Sequence, residues 1–377
     1  MRTSVLCLDG QLALDAQLQS LQGDAPDFVI AFLPPDAFLQ DRLRTLAARW
    51  PDSLLVGATA LRQFAGSRVC DEGCLHLFWF DQSRHHAWVE VVECDELGIL
   101  HVDRAVEAVQ GRRPQGALLL VDGVRFPVHT LLDKLRACCV DELPDIVGGL
   151  ASKNLDPDHY FDDDGAWVFV GQQVYPNAAL LVGFEGVDIN VHVVRGWEPA
   201  SPVYTVTRAE NSTLYSIDGV PAADWYRETF SLDGEMLAMP DASYGFPLIV
   251  DGPDPVRKGI YRTMVKFDDP PGSVTFAGDI HSGDQVRLGL GNGASLVEAA
   301  GQLDLKQADT CLLFSCVARE LVLGEAAETE IETLSRKLTD TPLSGFFTLG
   351  EIGPSTAGEL GFYNQVGILA LLTEAPA

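Results

Sequence analysis

Apolar and polar positions along the chain repeat a strand–helix–strand pattern three times. Residues 27–33 (DFVIAFL) form a continuous apolar run, residues 40–50 carry apolar positions at helical spacing with an Arg-rich outer face, and residues 53–59 (SLLVGAT) are apolar again. The second copy runs from residues 116–123 (GALLLVDG) through a helical stretch at 128–140 to residues 145–151 (DIVGGLA). The third runs from residues 310–316 (TCLLFSC) through 325–338 to residues 343–349 (LSGFFTL). Apolar runs joined by a helical crossover predict parallel strands covered on both faces, because a right-handed crossover lays the helix back on the sheet.

Between these units, alternating segments at 75–80, 87–92, 166–170, 178–184, 190–194, 203–209 and 213–217 predict antiparallel strands. Residues 224–228 read as a short helix opened by Pro221. Further strands are expected at 246–250, 264–267 and 280–290, and a helix at 294–303. The fold class is therefore α/β, mixed with α+β character: two related domains, each with mixed sheets flanked by helices. The polar, irregular stretch 229–244 sets the boundary near residue 240, giving domains 25–240 and 241–377.

The length supports two cores: 377 residues exceed what one hydrophobic core usually serves. An apolar fraction of 47% with 21% charged residues predicts that nearly all of the chain folds. A net charge of -28 repels phosphate backbones and anionic lipid, so neither nucleic acid nor membrane is expected as a partner. Residues 1–20 lack the charged and apolar regions of a secretory signal, and the apolar runs are too short to span a bilayer, so a cytoplasmic location is expected. The eight cysteines lie mostly in apolar stretches and read as reduced, buried thiols. Cys70 and Cys74 with His76 lack the second pair a zinc site needs. The run Asp162-Asp163-Asp164-Gly165 lacks the spaced ligands of a calcium loop and reads as a solvated turn. No Gly-x-Ser-x-Gly, phosphate-loop or His-Glu-x-x-His motif is present, and an enzyme is not expected.

Several stretches in order resemble the tandem FIST-N and FIST-C domains. The C-terminal block carries most of the likeness: Leu313-Phe314-Ser315-Cys316-Val317-Ala318-Arg319, then Gly345 to Pro354 (GFFTLGEIGP), then Asn364-Gln365 before an apolar strand. The N-terminal half is similar at Leu119 to Gly123, Gly148-Gly149, Gly196-Trp197-Glu198-Pro199, and Thr205-Val206-Thr207-Arg208 leading to Asp218-Gly219-Val220-Pro221-Ala222. Two positions depart from the pattern. Gly57-Ala58-Thr59-Ala60 stands where the family often has a Gly-Cys-Ser-Ser-like stretch, and Arg195 stands where His is common. The resemblance implies a small-ligand-binding sensory protein of bacterial signal transduction that regulates a separately encoded histidine kinase or cyclic-di-GMP enzyme. A subset of similar freestanding proteins are haem-based nitric oxide sensors. The cofactor is otherwise unknown.

Candidate ligand residues gather where the third unit's strands end. Arg319 could grip a carboxylate bidentately, Cys316 could do thiol chemistry, Glu351 could bind an ammonium group and Asn364 could hydrogen-bond the same ligand. The competing reading pairs Arg319 with Glu351 as an internal salt bridge and leaves Cys316 a small core residue. His192, on an alternating apolar segment three residues before Arg195, is the best candidate to ligate haem, against the plainer reading of a core or surface histidine. An enzyme using Cys316, Arg319 and Glu351, or a protein-binding adaptor without a ligand, are the alternatives. The glycine-rich run 289–293 reads as a hairpin end and helix cap.

Overall fold

A computed structural model describes residues 1–375 apart from 82–85, 140–142, 154–164, 231–243 and 269–271. All three strand–helix–strand units form. Phe28–Leu33 pairs in parallel with Leu54–Thr59 around the helix Leu39–Arg49, and Gly116–Val121 pairs with Asp145–Leu150 around Val128–Cys138. Thr310–Cys316 pairs with Leu343–Thr348, and its crossover holds two helices, Val317–Leu323 and Ala326–Leu338. The break at Gly324, with φ 55, ends the first of these helices and lets the chain turn into the second.

Each unit nucleates a six-stranded sheet of the same plan. The parallel pair lies at the centre and two antiparallel strands flank it on either side. The first sheet runs Arg2–Cys7, Cys74–Trp79, Phe28–Leu33, Leu54–Thr59, Val168–Val170, Gln173–Tyr175. The second runs His86–Glu93, Ala178–Glu185, Gly116–Val121, Asp145–Leu150, Glu351–Pro354, Leu360–Tyr363. The third runs Val187–Val194, Gly367–Glu374, Thr310–Cys316, Leu343–Thr348, Gln63–Ala65, Arg68–Cys70. In every sheet the last hairpin belongs in sequence to a different unit. Residues 63–70 follow the first unit and close the third sheet, 168–175 follow the second and close the first, and 351–363 follow the third and close the second.

The registers repeat as well. Gly57, Gly148 and Gly345 lie opposite Ala31, Leu119 and Leu313 in the three parallel pairs. A Cβ at any of these glycines would collide with the carbonyl oxygen of its partner. One residue further on, Ala58, Gly149 and Phe346 receive the exchanged hairpins through Val168, Glu351 and Gln63.

Period-two alternation divides each parallel strand between two layers. Phe28, Ile30 and Phe32 point into a core shared by the three sheets, where Phe28 meets Phe184 at 5.6 Å and Phe32 meets Phe346 at 4.6 Å between ring centroids. Val29, Ala31 and Leu33 point the other way, into a cluster with Leu39, Leu43 and Leu46 of the first helix. The second unit repeats this, with Leu118 and Leu120 central and Ala117, Leu119 and Val121 under the helices Asp103–Arg112 and Val128–Cys138.

A fourth sheet of nine strands runs Lys258–Arg262, Leu248–Asp251, Gln285–Leu290, Tyr204–Glu210, Thr213–Ile217, Ser273–Phe276, Met264–Asp268, with Glu198–Pro199 and Val220–Pro221 added at the side. The helix Ala222–Phe230 packs on it. The boundary expected near residue 240 falls in 231–243, outside the described residues, as does the acidic run at 162–164. Strands from before and after that boundary share the nine-stranded sheet, the second sheet and the third sheet.

The cysteines depart in one respect from the expectation of reduced thiols. Cys7 and Cys70 form a disulfide with Cα atoms 5.9 Å apart. Cys7 ends the edge strand of the first sheet and Cys70 ends the hairpin donated to the third. The exchange of hairpins is therefore what brings two cysteines 63 residues apart together. Cys74, Cys94, Cys138, Cys139, Cys311 and Cys316 take part in no disulfide among the described residues.

Candidate functional site

The third unit's central strand Thr310–Cys316 is buried at every residue and delivers Cys316 to its carboxyl end, next to the turn 364–366 that precedes Gly367–Glu374. Glu351 opens the exchanged strand Glu351–Pro354 and is completely buried. Its Oε1 lies 2.5 Å from Thr348 Oγ1, and its Oε2 accepts a long bond, 3.4 Å, from the backbone N–H of Val366. The Cys316 thiol hydrogen-bonds the same carboxyl group. Gly149 stands opposite Glu351 in the sheet, and a Cβ there would come within 2.5 Å of Thr348 Cγ2, so only glycine leaves the Thr348–Glu351 bond its room.

Burial pushes the Glu351 carboxyl well above its ordinary range, against the opposing pull of bonds from Thr348, Val366 and Cys316 and of the Arg319 charge. The Cys316 thiol is pushed up too, first by burial and then by the neighbouring Glu351. The backbone N–H groups of Gln365, Ala318 and Arg319 act in the other direction. Thiol and carboxyl thus compete for a proton in a buried site.

Arg319 is completely buried but has other partners. Its Nε and Nη2 hold Glu330, with an Nε to Oε1 distance of 2.9 Å and an Nη2 to Oε1 distance of 2.5 Å. Nη1 donates to the carbonyl of Arg195 at 2.5 Å and Nη2 to that of Leu296 at 3.0 Å. The internal salt bridge considered between Arg319 and Glu351 therefore forms with Glu330 instead. The guanidinium ties Val317–Leu323 to Ala326–Leu338 and to the helix Gly293–Gly301. Glu330 carried a signal in the sequence, since it lies on the apolar face of its helix with Ala327, Ile331, Leu334 and Leu338.

Asn364 is completely buried, and neither its Oδ1 nor its Nδ2 has a partner among the described residues. Ser315 Oγ, Gln365 Oε1 and Thr263 Oγ1 are buried without partners as well. A recess of about 20 Å³ is lined by Cys316, Val317, Ala318 and Leu349 from the third unit and by Tyr244, Thr263, Val265 and Ala277 from the nine-stranded sheet and its flanks. That is room for about one water-sized molecule. Thr263 and Gln365, neither a sequence candidate, join the site through the seam between these two layers, a contact that no local pattern encodes.

His192 lies on the edge strand Val187–Val194 of the third sheet, opposite Leu369. It is half-buried, its Nε2 has no partner among the described residues, and burial lowers its pKa. Asp304 and Lys306 are the charges that act on it, of opposite effect. His76 is a core histidine. Its Nδ1 meets Ser344 Oγ and its Nε2 meets Thr310 Oγ1, each at 2.6 Å, and burial lowers its pKa to about 3. Asn292 and Ser295 form a reciprocal cap on Gly293–Gly301, and Gly291 makes room for Trp197. No cluster of three or more metal-binding side chains is found among the described residues. Larger depressions occur elsewhere among the described residues. A groove of about 640 Å³ is lined by Asp36, Gln40, Arg125, Trp167, Val174 and Asn177, and clefts of about 380 and 210 Å³ are lined around Arg136 and Arg49. No described helix is long and apolar enough to cross a membrane.

Comparison with known proteins matches residues 27–220 to the FIST N domain and residues 222–354 to the FIST C domain. An uncharacterised protein of Mycobacterium bovis and one of Mycobacterium tuberculosis are each 27% identical to this chain over 273 residues, which is 68% of this chain and 67% of each relative. FIST domains are linked to small-ligand sensing in signal transduction rather than to catalysis. The ring of exchanged hairpins and the buried cluster around Glu351 are thus the frame and the candidate site of a chain that belongs to the FIST family, with its N and C domains in tandem.

Proposed function

We propose that this protein binds a small polar ligand at the cluster of Glu351, Cys316 and Asn364, and passes that state to a separate signalling protein such as a histidine kinase or cyclic-di-GMP enzyme. The observation that carries the reading is Asn364, a fully buried amide with both hydrogen-bonding atoms unpaired among the described residues, which follows directly on Tyr363, the strand partner of Glu351. Leaving such groups without partners costs about 1–3 kcal/mol each, and a ligand that satisfies them recovers that cost on binding. Position supports the same reading, since crevices at the carboxyl ends of parallel strands are where α/β sheets bind ligands. Arg319 serves this site as scaffold through Glu330.

In its closed form the recess admits a molecule of water's size, so a larger ligand requires the wall of Tyr244 and Thr263 to draw back from Cys316. Such a movement would couple occupancy to the packing of the nine-stranded sheet on the third unit, which is how binding reaches a partner-facing surface. His192 lines none of the cavities described above, so the reading is built on Glu351, Cys316 and Asn364. No step here runs through haem.

Thermal melting against a panel of small polar compounds tests the proposal. A ligand at a hundred times its Kd raises stability by about 2.7 kcal/mol. The rise is expected in the native chain and lost in Asn364→Ala. A panel with no effect on the native chain, or an equal rise in Asn364→Ala, removes this site from the reading.

A further inference from the structure

The carboxyl ends of the second and third parallel pairs are built alike and differ in one side chain. Asp122 stands three residues past Leu119, as Cys316 stands three residues past Leu313, its counterpart opposite the repeated glycine. The Asp122 Oδ1 accepts the N–H groups of Val124 at 2.9 Å and Arg125 at 3.1 Å, and its Oδ2 accepts that of Asn177 at 2.9 Å. The Cys316 sulfur is met by the N–H groups of Ala318, Arg319 and Gln365, the first two at the same sequence offsets as Val124 and Arg125. The own N–H of each residue donates to the carbonyl following the third donor, Ala178 for Asp122 at 2.8 Å and Val366 for Cys316 at 3.0 Å. Asn177 and Gln365 even share a left-handed backbone, with φ of 52 and 64. The cradle that holds a carboxylate in the second unit holds a thiol in the third, and in the first unit its place is taken by Pro34.

Three N–H groups converging on one atom favour negative charge there. Glu351, hydrogen-bonded to the thiol, supplies a place for the proton to go. Glu351 is ionised only above its raised pKa of about 8, and there moving the proton from sulfur to its carboxylate leaves the net charge of the pair unchanged, so burial opposes this transfer far less than it opposes ionisation to solvent. Thr263 gives an independent indication of a guest. It is 5% exposed, its Oγ1 has no partner among the described residues, and it lines the same recess as Cys316.

We propose that Cys316 is an oxidation site for hydrogen peroxide, with Glu351 accepting the thiol proton and Thr263 hydrogen-bonding the peroxide in the recess. The Cys316 sulfur attacks one peroxide oxygen. An S–O bond forms, the O–O bond breaks, and the thiol proton passes through Glu351 to the departing oxygen, which leaves as water. Sulfur loses two electrons to become a sulfenic acid, and the peroxide gains them. A second peroxide carries the sulfur to a sulfinate, whose anionic two-oxygen head matches what Asp122 sets into the equivalent cradle. A recess this small disfavours bulky organic hydroperoxides, and hydrogen peroxide, larger than one water by a single oxygen, needs only a small retreat of the Tyr244 and Thr263 wall.

The test is a time course of hydrogen peroxide on the whole protein with its disulfide intact, followed cysteine by cysteine through peptide mass spectrometry. Exposed Cys138 is the internal reference. At a pH above the raised pKa of Glu351, Cys316 is expected to gain oxygen faster than Cys138 in spite of its burial, and Glu351→Gln to slow Cys316 by about a hundredfold, the lower end of a general base's weight. Thr263→Val, close in shape, is expected to slow it with Glu351 untouched. Oxidation of Cys138 with Cys316 unmodified, or a Cys316 rate indifferent to both variants, overturns the proposal. Ligand binding is read by melting of unoxidised protein, so the two ideas fail separately.

Discussion

Two buried glutamates in the same unit have opposite surroundings. Glu330 faces a guanidinium that grips it through two nitrogens and spends its remaining donors on two carbonyls, so charge and hydrogen bonds close on themselves. Glu351, equally buried, has a hydroxyl, a thiol and one long backbone bond, and no cation in contact among the described residues. The contrast teaches that burial of a carboxyl does not by itself mark a site. A closed ion pair reads as scaffold, whereas a carboxyl pushed toward its protonated form among unpartnered amide and hydroxyl groups reads as chemistry held ready.

The largest effect should come from breaking the scaffold pair. Glu330→Ala strands a buried guanidinium and is expected to cost about 3–5 kcal/mol by denaturant unfolding. The double variant Arg319→Met with Glu330→Leu should regain most of that loss, and a double variant as unstable as the single one would refute the closed-pair account. Reducing the Cys7–Cys70 disulfide gives a ruler outside both glutamates, with an expected loss of about 2–4 kcal/mol and a lower Tm in reductant.

The Glu351 effect should be smaller and dependent on pH. Its pKa is raised in the folded protein, so the folded chain holds the extra proton and stability falls as pH climbs from the ordinary value of 4.5 toward the raised one. Measured against Glu351→Gln, the native chain should lose relative stability across that window by about 1.4 kcal/mol for each unit of upward shift. A difference that stays flat with pH would remove Glu351 from the comparison. His76 supplies the opposite slope. Its neutral core form, with pKa lowered from 6.5 to about 3, loses stability as pH falls through that interval, and His76→Gln should abolish this acid-side component.

Much of the frame was legible because its signals are local. Each of the three strand–helix–strand units lies within two residues of where the apolar runs place it, since a strand buried on both faces has few polar positions to confuse the pattern. The extra helix Val317–Leu323 was missed because it spans only seven residues. The candidate site was legible in part. Cys316 and Glu351 share a hydrogen bond and Asn364 follows Tyr363, the strand partner of Glu351, while Arg319 turns to Glu330 and His192 lies on an edge strand. Which polar group faces which is settled by side chains from separate layers, and spacing along the chain carries no record of it.

By itself, the amino-acid sequence determined the three parallel pairs, their crossover helices and the glycines opposite Ala31, Leu119 and Leu313, since periodicity and the absence of a Cβ act within one unit. Only the tertiary structure decided the ring of exchanged hairpins, the Cys7–Cys70 bond, and the equivalence of Asp122 with Cys316. Each of these rests on backbone pairing between segments tens to hundreds of residues apart, and such pairing is chosen by the packing of whole sheets around a common core.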